Sequence, residues 1–153
     1  MQVKLALLAD CANVTTEGKL NILGVFDRIS VLELPAVHPQ MHLILRLEAH
    51  PAERDRVHPI EIRLHDPDGQ TVVELKGEVV PRGGSPEQTT IASNQIITLN
   101  HLTFATTGEY TFVVFVDNDL KAEVPLTVER VAGESAEGRP EDPPPAGPSG
   151  GEA

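Results

Sequence analysis

Cys11 is the only cysteine, so no intrachain disulfide can form and a disulfide-stapled secreted scaffold is excluded. A reducing compartment, the cytoplasm, is the expected location. Tryptophan is absent and there are one tyrosine and four phenylalanines, too few for a platform on which bases stack. Basic residues are scarce: twelve Lys and Arg face twenty-three Asp and Glu, for a net charge of -11. Nucleic acid and anionic membrane are therefore not expected partners, because both need clustered cations to displace counterions. Long apolar runs are missing as well, and none approaches the roughly 18 residues of a membrane span. The run Leu5 to Ala9 is shorter than the roughly 7–15 residues of a signal h-region, and Asp10 stands before Cys11 where a lipobox wants a small uncharged residue.

What the chain does have is alternation. Val3, Leu5, Leu7, Ala9 and Cys11 alternate with polar neighbours, as do Met41, Leu43, Leu45, Leu47 and Ala49. The pattern recurs at Ile60, Ile62 and Leu64, at Val73, Leu75 and Val79, and from Leu120 to Val128. Period 3.6 is nowhere sustained, so each run reads as a half-buried strand. Turn residues punctuate them: Glu17-Gly18-Lys19, Asp66-Pro67-Asp68-Gly69, Pro81 to Gly84 and Asp117-Asn118-Asp119. The second and the last of these predict hairpins. Pro125 removes a ladder donor from the last strand, which is expected to be an edge or to carry a bulge. Ser85-Pro86-Glu87-Gln88 predicts a single helical turn, with Ser85 as its cap.

These features predict an all-β fold of about 7–9 antiparallel strands over residues 1–131. Residues 132–153 form an acidic tail rich in Pro and Gly and expected to be disordered, because it has no large apolar residue to bury. Glu134, Glu137, Glu141, Asp142 and Glu152 against Arg139 account for -4 of the charge and leave -7 on the domain. In the run Leu102 to Phe112, the residues Leu102, Gly108, Tyr110 and Phe112 resemble the tyrosine corner of immunoglobulin-like domains. That points to a sandwich, with Phe112 where antibody domains carry a cysteine.

No constellation for chemistry stands out. His38 and His42 have ligand-like spacing but are read as lying in a connection and on a strand's polar face, while His50, His58, His65 and His101 fall near strand ends and are expected in solvent. The two acidic turns are too short to supply a calcium site. Cys11 shares parity with Val3 and Leu7 and is expected on the buried face, where a thiol is inert. No catalytic, cofactor-binding or metal residue is assigned. One strand stands apart: from Tyr110 to Val116 both faces are apolar. With Tyr110, Phe112, Val114 and Val116 in the core, Val113 and Phe115 face outward and need a cover. Ala6 and Leu8, another segment or a partner chain could supply it, which makes Val113 and Phe115 the candidate interaction face.

Leu7-Leu8-Ala9-Asp10, Asn13, Gly18 to Ile22, Gly24 to Ile29, Pro35-Ala36, His38-Pro39 and Gly108-Glu109-Tyr110 together resemble a family of uncharacterised bacterial proteins, a domain of unknown function. The resemblance spans roughly residues 2–130 and is densest in the first forty. It implies an immunoglobulin-like sandwich and no activity; Asp10, Asn13, Lys19, Asn21, Asp27 and Pro35 read as turn formers before a binding rim. The expected function is a non-enzymatic interaction module with an unknown protein partner or itself. The alternative is an exported sandwich that binds a small molecule or carbohydrate.

Overall fold

The computed structural model describes residues 1–133, and the greater part of the expected tail, from Glu134 on, lies outside them. Nine strands form among the described residues: β1 (Gln2–Val14), β2 (Leu20–Phe26), β3 (Arg28–Val31), β4 (Ala36–Ala49), β5 (His58–His65), β6 (Thr71–Val79), β7 (Ile91–Phe104), β8 (Gly108–Val116) and β9 (Asp119–Arg130). They make a four-stranded sheet in the order β2-β1-β4-β7 and a five-stranded sheet in the order β3-β9-β8-β5-β6. Sequence neighbours β4 and β5 lie in different sheets and pair with β7 and β8, the interlocked connection of an immunoglobulin-like sandwich.

The core fills the gap between the sheets. Met41, Leu43, Leu45 and Leu47 of β4 meet Ile62 and Leu64 of β5, Phe112 and Val114 of β8 and Leu126 and Val128 of β9. The tyrosine corner forms as its residues predict: the Tyr110 hydroxyl donates to Thr106 O at 2.9 Å, and its ring meets Phe104 edge to face at 5.0 Å. Gly108 has φ 130, and a Cβ there would come within 2.7 Å of the Pro67 ring, so the start of β8 can seat against the β5–β6 turn only as glycine. That turn is organised by Asp66, whose carboxylate accepts from the backbone of Asp68 at 3.0 Å and of Gln70 at 2.8 Å. Asp117 and Asn118, at φ 54 and 64, close the β8–β9 hairpin as a two-residue turn that needs two left-handed residues.

Four expectations change. The sandwich is not wholly antiparallel, since β3 pairs with β9 in parallel. After β2 the chain crosses from one sheet to the other at Asp27, whose carbonyl accepts from Thr127 N, and runs on alongside β9. Cys11 is exposed rather than buried. The β1–β4 register slips between Val3 and Leu5, so the core face passes from Val3 to Ala6 and Leu8 and the parity of every later residue inverts. Ala6 and Leu8 therefore pack into the core and do not cover Val113 and Phe115. Ser85 to Gln88 closes one hydrogen-bonded turn, Gln88 N donating to Ser85 O, without becoming helical. A short 3-10 turn forms instead at Pro51–Glu53, capped by His50. Pro125 sits where β9 has a neighbour on one side only, just before β3 joins at Thr127.

The hairpin of β1 and β2 does not simply extend its sheet. Asn94 of β7 donates to Gly18 O in the hairpin turn at 3.4 Å, although β1 and β4 stand between β7 and β2 in the sheet. The hairpin thus lies over the sheet's outer side. Ile44 and Ala9, outside the core cluster, are fully buried there.

Candidate functional site

Val113 and Phe115 point away from the core, as alternation requires, and the chain's own side chains surround them. Val113 is 6% exposed between Arg63 of β5 and Glu123 of β9. The Arg63 guanidinium stacks over the Phe115 ring at 5.0 Å and is held from the side by Glu61. This face also carries Glu74, Lys76 and Glu78 along β6, so it is laced with charges of both signs.

Among the described residues no group of His, Cys, Asp and Glu is placed to hold a metal ion. His42 bonds to Thr98 Oγ1 at 3.1 Å, and His50 Nδ1 accepts from Ala52 N at 3.1 Å. His58 departs from its expected place in solvent: it is 6% exposed at the start of β5. The β8–β9 turn folds over it and places the Asp117 carboxylate 2.7 Å from Nδ1. A carboxylate only accepts, so Nδ1 carries the proton. His58 Nε2 is enclosed without a partner. The contact clamps the start of β5 to the β8–β9 turn. Nearby, Glu53 accepts from the Met1 amino group and from His50 N, both at 2.7 Å, and these two bonds hold its carboxyl below the usual carboxylate range.

A hollow of about 350 Å³ lies where the chain passes from β2 to β3, with Asp10, His38, Arg28 and Ser30 beside Phe26 and Ile29. Gly24 opens it: φ is 70, and a Cβ there would collide with the Asp10 carboxylate. Arg28 and Ser30 are engaged by Glu129, at 2.7 and 3.2 Å, which leaves Asp10 and His38 as its free polar groups. Asp10 and His38 come together here although the sequence places them in separate segments.

The most open structural feature was not signalled by alternation. β7 borders the four-stranded sheet and pairs only with β4; no other backbone bond is made along it among the described residues. It is fourteen residues long and contains no Asp, Glu, Lys, Arg, Pro or Gly. The other edges are blunted: β6 by Glu74, Lys76 and Glu78, β2 by Gly24 in a left-handed conformation, and β3 by its length of four residues. Beside β7, between the sheets, a cleft of about 330 Å³ is lined mainly by Ile60, Ile62, Leu75, Val79 and Ile97, and also by Gln95 and the charged Lys76 and Glu78. Among the described residues no further strand closes that side. Half of β7's backbone groups and an apolar slot thus face outward together.

No helix among the described residues is long and apolar enough to cross a membrane. The model of a family described as of unknown function, DUF6941, matches residues 4–129. A crystal structure of an immunoglobulin-like protein from Pseudomonas aeruginosa is similar at 14% identity with a TM-score of 0.42, over 83% of this chain and 94% of that one. No curated protein matches the chain.

Proposed function

We propose that this chain, which belongs to the DUF6941 family, is a non-enzymatic interaction module that offers the free edge of β7 to an extended segment of a protein partner. The observation that carries this reading is the uncharged, proline-free edge with its backbone unpaired, next to an apolar cleft. Main-chain hydrogen bonds to such an edge supply affinity, and a slot beside it selects side chains, the mode in which a strand is added to a sheet. Natural sheets place lysines, prolines or bulges on long edges to prevent this pairing, and over Ile91 to Asn100 this chain has none. A cytoplasmic setting suits the reading, since Cys11 is exposed and free. The second reading, small-molecule binding, is favoured only by the hollow at Asp10 and His38.

A photo-crosslinking side chain at Thr98, an exposed position on β7, tests the proposal in cells that make the protein. The expected result is a crosslinked partner chain that disappears when Ala92→Lys and Gln95→Lys are added. Capture from a crosslinker at Lys121 on the opposite sheet, with none from Thr98, overturns it.

A further inference from the structure

We infer that the hollow between Asp10 and His38 binds a small organic cation, a protonated amine whose ammonium group meets the Asp10 carboxylate while its apolar part rests on Phe26 and Ile29. The inference rests on the small-molecule reading above and supplies its ligand class; it does not depend on β7. Three separate stretches build the site: Asp10 from β1, Gly24 to Ser30 where β2 gives way to β3, and His38 from β4. Asp10, Gly24 to Ile29 and His38 are also among the residues by which the chain resembles its family, and the fold brings them to one place. Charge then selects the ligand. Arg28 is matched by Glu129 at 2.7 Å and Ser30 donates to the same carboxylate at 3.2 Å, whereas Asp10 meets no cation of the chain among the described residues. An anion placed there would face an unneutralised carboxylate and a neutral molecule would leave it unmatched, while an ammonium group compensates it through a charge-assisted hydrogen bond. The domain's charge of -7 raises the local concentration of cations as well. The Phe26 and His38 ring centroids lie 6.2 Å apart, so aromatic rings, whose faces attract cations, border the carboxylate. A metal ion is not the occupant, since no third ligand joins Asp10 and His38 among the described residues. At about 350 Å³ the hollow stands near the lower end of the roughly 300–1,000 Å³ of small-ligand pockets, which suits an amine of few carbons.

Titration of the isotope-labelled full chain, followed by amide resonances at neutral pH, reads the outcome with three probes of one size: n-butylammonium, 1-butanol and butyrate. Butylammonium is expected to give saturating shifts at Asp10, Gly24 and His38, and the other two to give none there. Asp10→Asn, which keeps the shape of the side chain and removes its charge, is expected to weaken butylammonium binding about tenfold, the loss of one charge-assisted hydrogen bond. The spread of the amide resonances shows whether that variant is folded, and the preference of the wild-type chain for butylammonium over 1-butanol decides the role of charge without any variant. Butylammonium shifts that fail to saturate, or an affinity unchanged in a folded Asp10→Asn, overturn the inference. Saturating shifts at the same amides from 1-butanol or butyrate, equal to or stronger than those from butylammonium, overturn the cation alone and leave the hollow as a small-molecule site. Absence of shifts with all three probes removes both.

Discussion

Phe112→Ala is expected to destabilise the domain by about 3–5 kcal/mol, the cost of truncating a fully buried aromatic residue and leaving a cavity that the surroundings fill only in part. Phe112 is 1% exposed, on β8 between Leu64 of β5 and Val124 of β9, where both sheets press on it. Domains of this kind are stable by roughly 5–15 kcal/mol, so the change removes a large share of the total. Thermal and urea unfolding followed by circular dichroism measure it. Phe115→Ala is the control on the same strand: its ring is only partly buried, under Arg63 on the outer face, and leaves no sealed void, so a loss of about 1 kcal/mol is expected from the aromatic and cation contacts. Equal losses for the two would mean that β8 is not turned as described.

Asp117→Ala is the second large effect, expected to cost about 2–5 kcal/mol through two separable causes. Residue 117 has φ 54, where a side chain without a local hydrogen bond costs about 1–2 kcal/mol. The carboxylate is also the partner of buried His58 Nδ1, and a buried donor left alone costs about 1–3 kcal/mol. Asp117→Gly separates them, since glycine accepts the left-handed backbone and loses only the hydrogen bond. Asp117→Gly is therefore expected to retain more stability than Asp117→Ala. Identical losses would assign the whole effect to the clamp, and no loss in either would remove His58 and Asp117 from the account of how β5 is held to the β8–β9 turn.

The parts of this fold that could be read in the sequence are those fixed by local chemistry. The Asp66 to Gly69 and Asp117 to Asp119 turns depend on side chains bonding to their own backbone and on tolerance of positive φ, both written in four residues. The tyrosine corner is similarly local, Thr106 and Tyr110 being four apart. What failed depended on neighbours. The slip between Val3 and Leu5 is invisible in the alternation, yet it reverses which side of β1 faces inward and brings Cys11 to the surface. His58 looked like a strand-end histidine because the turn that buries it lies 59 residues away. The parallel β3–β9 pair comes from a four-residue strand with too little sequence to show a period.

The candidate site was legible only in reverse. Val113 and Phe115 drew notice through an excess of apolar residues, and the outward direction assigned to them matches the register, but Arg63 reaches across from β5 to cover the ring. β7 contains no long alternating run: Ile96 and Ile97 stand together, and His101 adopts φ 52 near its end. Its signal is the missing charge over fourteen residues of an acidic chain, which gains meaning only once β7 is known to lie at an edge. Edge position is a property of the whole sandwich. The same run in a central strand would read as ordinary core.

Amide hydrogen exchange along β7, followed residue by residue in dilute protein, tests the availability of that edge most directly. Amides bonded to β4 are expected to be protected and the alternate amides from Ile91 to Asn100, which point outward, to exchange quickly. Uniform protection along β7 in dilute protein would mean that the chain itself covers the edge, and would contradict the account.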